Sequence, residues 1–319
     1  MKKFLSLFLS CVMLFSMATF ASAEDAGVTI EYPDTLQAMG FNEPIVLDKM
    51  PTRVVVMSTA PVLALYELGV NMIAIPKTSV VTWPEGLTAN AEQLSVTMNA
   101  NFDIETVVAM EPDLVIMGYT SQDTYGVTLE ALDIPVYYVD AGHTVSYESI
   151  KAQTQMLIDA FAPGSEAGAN IMQRFDDLEA RLEETKAALE GKTCMVLQSS
   201  PPNHYIQTAD GTLGTMCRMI GLTNVYENDA SSMVLVDYEL MLGYDPDVVL
   251  AVGMSPSGEA HKALMLEDFE NNHDYWYAIE AIANDDMICL PVTYCSTAGI
   301  NIIDNLNALA DLIMAHFAQ

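Results

Sequence analysis

Positive charge is what this chain has least of. Its 319 residues carry 12 Lys and Arg against 43 Asp and Glu, for a formal net charge of −31 at pH 7. So acidic a surface repels phosphate backbones and anionic lipid, which excludes nucleic acid as a partner. Cysteine is also sparse, at five residues with no CxxC or Cys/His spacing, so structural zinc is excluded. Cys194 and Cys289 fall in apolar strand-like runs and Cys217 in a helical one, where buried free thiols are expected; Cys295 reads as loop-borne, and the disulfide state stays open. No G-x-G-x-x-G follows a strand, no G-x-S-x-G occurs, and no His pair suggests catalytic zinc. The stretch GMSPSGEA has the glycine spacing of a phosphate loop, but Glu259 stands where lysine must meet phosphate. The chain therefore reads as no enzyme, with a secreted hydrolase of dispersed catalytic residues as the alternative from another class.

Long apolar runs are absent too, except at the start. MKKFLSLFLSCVMLFSMATFASAEDA combines Lys2-Lys3, an apolar run too short and poorly flanked to span a bilayer, and Ala21-Ser22-Ala23 as a small-residue cleavage site. Residues 1–23 read as a secretory signal, which predicts an exported protein, periplasmic or associated with the cell surface. Lipid attachment at Cys11 is the alternative to a free chain.

What is present is an alternation. From residue 53, RVVVMS, APVLALYELG, NMIAIP, IETVVAME, PDLVIMG, TLEALD and PVYYVD take strand and helix in turn. Such units predict a parallel sheet covered by helices. A break at Pro163-Gly164 precedes SEAGANIMQRFDDLEARLEETKAALEG, about seven helical turns of mixed apolar and charged residues. Beyond Gly191 a second α/β series runs to the closing helix INIIDNLNALADLIMAHFA. The expected organisation is an N-terminal lobe at 24–162, a linking helix at 163–190 and a C-terminal lobe at 191–319. A unit recurs once per lobe: FDIETVVAMEPDLVIMG aligns with VDYELMLGYDPDVVLAVG, matching Asp103 to Asp237, Glu105 to Glu239 and Pro112-Asp113 to Pro246-Asp247.

These stretches, with LEALDIPVYYVD, YIQTADGTLGTMCRMIGLTNVY and WYAIEAIANDDMICLP, resemble the periplasmic-type binding proteins that deliver iron complexes, haem and vitamin B12 to ABC importers. The resemblance runs over nearly the whole mature chain. It implies two Rossmann-like lobes with central parallel sheets, joined by one long interdomain helix, with the ligand held between them: the class III architecture. AIPKTS, SVTMNANFDIE and SPSGEAHKALMLEDFENNHDYWYAIEAI resemble most closely the haem receptors of Gram-positive cell walls. In those receptors a methionine shortly before the Asp-x-Glu ligates haem iron. Met98 is the nearest match, two residues further from the Glu; the partner histidine's place falls near Gly253-Met254, where none stands. The resemblance also implies that Glu105 and Glu239 lie on the lobe tips and pair with permease arginines, through charged contacts that set orientation and encounter rate.

The ligand crevice is expected at the carboxyl ends of the strands. Those ends supply Ser58, Thr59, Lys77, Trp83, Met98 and Tyr119 from the first lobe, and His204, Tyr205, Met233, Met254 and Tyr294 from the second. Aromatics and methionines suit a broad apolar ligand. Met98 and His204 are the candidate iron ligands through a bound haem or chelate, with His143 as a further loop histidine; His261, His273 and His316 read as non-ligands on helical or surface-like segments. With four arginines in the chain, no cluster exists for a trianionic catecholate. The expected cargo is haem, a corrinoid or a neutral ferric chelate, carried by a monomer without a cofactor of its own.

Overall fold

The computed structural model describes residues 27–95, 103–141, 146–226, 231–255, 257–295 and 299–318. The leader, Met98 and His143 lie outside the described residues, as does the side chain of Cys295. An antiparallel ribbon that the alternation did not announce opens the chain, β1 (Val28–Ile30) against β2 (Ile45–Leu47). The first sheet contains β3 (Val54–Val56), β4 (Met72–Lys77), β5 (Glu92–Ser95), β6 (Leu114–Gly118) and β7 (Val136–Val139), in the order β5-β4-β3-β6-β7. Every neighbouring pair is parallel. Val54, Val55 and Val56 are all buried, as are Leu114 to Met117, because helices cover both faces and leave no polar alternation.

The second sheet is built from β8 (Thr193–Ser200), β9 (Asn203–Gln207), β10 (Thr223–Asn224), β11 (Met233–Leu235), β12 (Val248–Val252) and β13 (Met287–Leu290). Its order is β11-β9-β8-β12-β13, with β10 beside the start of β8. β12 runs parallel to β8 and β13, but β9 is antiparallel to both β8 and β11. The expectation of a parallel centre therefore holds in full for the first sheet and only in part for the second. The reason is local: Pro201-Pro202 turns the chain within two residues, so Pro201–Tyr205 is a hairpin turn and a returning strand instead of a crevice loop. One face of this sheet, with Cys194, Val196, Val248 and Leu250, joins the large core shared with the first lobe. The other, with Met195, Leu197 and Val249, packs on Met265, Phe269 and Trp276.

The helix Tyr147–Phe161 ends at Pro163-Gly164, where Gly164 takes φ +68°, and Ser165 caps the next helix by accepting from Gly168 N at 3.0 Å. That helix, Glu166–Ala188, spans 23 residues, about 34 Å. Ile171, Phe175, Leu178, Leu182 and Thr185 are its buried stripe. A Cβ at Gly168 would lie 2.5 Å from the Ile158 side chain, so the Ile158 methyl packs directly on the Gly168 backbone there. Arg174 reaches Glu67 of the first lobe at 3.1 Å, and Arg181, seven residues on, reaches Asn307 at 2.7 Å and pairs with Asp311 on the closing helix Asn301–Phe317. Cys194 and Cys217 are buried free thiols; burial, then the neighbouring Cys194, pushes the Cys217 thiol well up.

Candidate functional site

The first-lobe crevice edge follows β3, β4 and β6. Ser58 is buried and accepts from Ala60 N at 3.3 Å, Thr59 is half-buried, Lys77 is exposed, and Tyr119 is half-buried and edge-on to Phe41 at 6.4 Å. Opposite them, Met254 follows β12 and is 68% exposed. Tyr294 is buried beyond β13, and burial raises its phenol pKa. The lobes meet where Gly299 faces the Ala60 carbonyl: a Cβ there would lie 2.1 Å from that oxygen.

Three expected contacts are placed elsewhere. Trp83 is buried and donates its indole N–H to the Pro76 carbonyl at 2.8 Å, so it fills the core because its one polar atom finds a backbone partner there. His204 is 2% exposed, with Nδ1 2.9 Å from Ser199 Oγ and Nε2 2.8 Å from Asp268 Oδ2. Both ring nitrogens are occupied, so it offers iron no lone pair. Met233 pairs with Gln207, which pairs with Val196, itself level with Leu250 in the middle of β12; it stands at mid-sheet, away from the strand ends. Tyr205 is half-buried on β9. Ser199, His204 and Asp268 follow the order of a hydrolytic triad, but Ser199 is 2% exposed, so its hydroxyl meets no substrate. Among the described residues, no three His, Cys, Asp or Glu side chains converge as a metal-ion site.

His261 lies on a helical segment, the helix Gly258–Phe269, and is buried there. Burial pushes its pKa down, the adjacent His204 adds to that, and a hydrogen bond to the Val252 backbone opposes both.

Glu105 and Glu239 are both exposed in the first turn of a short helix, Ile104–Ala109 and Tyr238–Met241. Asp103 accepts from Thr106 N at 3.1 Å, and Asp237 accepts from Glu239 N at 3.0 Å. Each helix leads down to the start of a central strand, so its first turn lies at the crevice end. The aligned Asp113 and Asp247 fasten the opposite end. Asp113 accepts from Thr52 N and Arg53 N at 2.8 Å and from the Thr52 hydroxyl at 3.1 Å. Asp247 accepts from Thr193 N at 2.7 Å and from its hydroxyl at 2.8 Å.

Cavities among the described residues include two in this region. One of about 390 Å³ lies between the lobes, lined by Ser146 from the first and Asp210, Thr215, Arg218 and Ser232 from the second. The other, about 630 Å³, runs beside Glu239 under Leu235, Tyr238 and Tyr275. Arg218 is not among the residues expected at the crevice, since it rides on the helix Thr212–Ile220 and not at a strand end; its rarity as one of four arginines is the signal in the sequence.

Residues 54–294 match the model of the periplasmic binding protein family. The chain is 22% identical over 263 residues to the high-affinity heme uptake system protein IsdE of Staphylococcus aureus, covering 82% of this chain and 86% of the relative. The fold matches S. aureus IsdE complexed with heme at a TM-score of 0.67, with 19% identity over 82% of this chain and 98% of the other. It also matches the petrobactin-binding protein YclQ of Bacillus subtilis at 0.68, with 18% identity over 92% and 99%. No described helix is long and apolar enough to cross a membrane. With a family match across three quarters of its length and two lobes on one long helix, the chain belongs to the periplasmic binding protein family.

Proposed function

We propose that this chain is the extracytoplasmic solute-binding subunit of an ABC importer, which holds an iron complex or tetrapyrrole, haem foremost, between its lobes and hands it to the permease. No bond is made or broken. The haem-uptake relative and the haem-complexed structural neighbour support the cargo class, and the petrobactin-binding neighbour supports a ferric siderophore as the second reading. The scarcity of basic side chains around the crevice favours the less anionic cargo. Capture is by burial against Tyr119, Met254 and their neighbours, with Ser58, Thr59 and Lys77 as polar contacts. Met98 is the proposed thioether ligand to iron. The protein acts as a monomer at the outer face of the membrane, free or lipid-anchored.

The observation that carries the reading is the pairing of Glu105 and Glu239, one exposed carboxylate per lobe, at equivalent places beside one crevice. We assign them to permease docking through cationic side chains. Titration of the mature protein with haem, cobalamin and a ferric hydroxamate, followed in the visible spectrum, should give a saturable change with at least one. Silence with all three, beside turnover of a chromogenic ester, would reject the carrier reading. Reversal of both glutamates to Lys should spare ligand affinity and abolish uptake in cells.

A further inference from the structure

We propose that Arg218 binds a carboxylate arm of the cargo, which enters the interlobe cavity and replaces Asp210 on the guanidinium. The inference rests on the tetrapyrrole reading for the class of ligand. The chain has four arginines, and three are committed to the fold. Arg53 donates to the carbonyls of Met110 and Glu111, Arg174 holds Glu67, and Arg181 holds Asn307 and Asp311. Arg218 instead opens into the 390 Å³ cavity between the lobes.

Its contact with Asp210 is a single hydrogen bond of 3.4 Å between side chains that are 58% and 74% exposed. A one-point pair between such exposed groups is weak and readily exchanged. A planar guanidinium prefers a carboxylate that meets it at two points, which an incoming arm is free to do. The cavity also offers hydroxyl donors. Ser146 Oγ accepts from Ser149 N at 3.1 Å and keeps its own proton for a ligand, and Ser232 lies on the opposite wall. Thr215 has spent its proton on the Ala209 carbonyl at 2.9 Å. Donors thus come from both lobes, so a carboxylate seated here bridges them. The cavity, at about 390 Å³, has room for a carboxylate arm, with the ring in the crevice beside it.

Haem and haem dimethyl ester separate the two contributions, because the ester keeps the ring and loses both carboxylates. Visible titrations of wild type, Arg218→Gln and Asp210→Asn with each porphyrin test the proposal. Arg218→Gln should weaken haem binding about tenfold, the size of one charge-assisted hydrogen bond, and leave the ester unchanged. Asp210→Asn should tighten haem binding by removing the competing carboxylate, again without effect on the ester. Equal losses for both porphyrins, or no loss for either, would overturn the role of Arg218 while the tetrapyrrole reading stands. Wild type that binds neither porphyrin would remove both.

Discussion

The two copies of the repeated unit agree at one end and differ at the other. At the foot of each sheet a Pro-Asp pair fastens a central strand to its neighbour: Asp113 holds Thr52-Arg53 beside β3, and Asp247 holds Thr193 at the start of β8. At the rim the copies diverge. Asp103 caps a six-residue helix three positions on, whereas Asp237 bonds two positions on at a four-residue turn. Beyond the unit, the first lobe continues in parallel strands, and the second inserts a hairpin tied by His204 to the helix Gly258–Phe269. The repeat keeps its geometry at the foot, where it organises a sheet, and loosens at the rim.

The largest expected effect breaks the feature peculiar to the second lobe. His204→Ala strands the Ser199 hydroxyl and the Asp268 carboxylate and removes a ring 5.0 Å from Trp276; a loss of about 3 kcal/mol should appear as a lower urea midpoint. The fasteners come next. Asp113→Ala removes three accepted hydrogen bonds and should cost about 2 kcal/mol, against about 1 kcal/mol for Asp247→Ala, which removes two. The reverse order in thermal melts would break the proposed equivalence.

Partial burial raises the Asp247 pKa, but hydrogen bonds from Thr193 and the charge of Lys192 outweigh it and hold the carboxyl below its ordinary 3.8. Its contribution is therefore complete above pH 3.8 and fades as pH falls through the folded value, so melts of wild type and Asp247→Ala should converge in strong acid. His261, in the same lobe, costs stability in the same direction but at higher pH. Its pKa lies below the ordinary 6.5, so the unfolded chain takes up its proton first and stability falls as pH drops below 6.5. His261→Asn, which keeps a donor for Val252, should flatten that slope. The smallest effects belong to the rim: Glu105→Gln and Glu239→Gln should each shift stability by less than about 0.5 kcal/mol, as exposed first-turn carboxylates. A larger shift in either would mark it as a structural residue.

Much of the fold was legible because it is written in period. The runs RVVVMS, PDLVIMG and DVVLAVG are apolar throughout because both sheet faces are covered, and Pro163-Gly164 announces the long helix. The hairpin was not legible, since Pro201-Pro202 reads equally as a loop and as a tight turn until β9 finds its partners. The site was less legible than the fold. Trp83 and His204 carry the side chains expected of ligand contacts, but each found protein partners that chain order does not display, the Pro76 carbonyl in one case and Ser199 with Asp268 in the other. Arg218 escaped for the converse reason, since its place between lobes depends on how two distant helices are brought together.

The long helix bears one arginine for each lobe, two turns apart on the same side. A rod clamped in this way behaves as a stiff calliper: the jaws keep nearly constant spacing whether or not something sits between them. Under the proposed docking role, unloading would draw on leverage from outside, applied at the rim through Glu105 and Glu239.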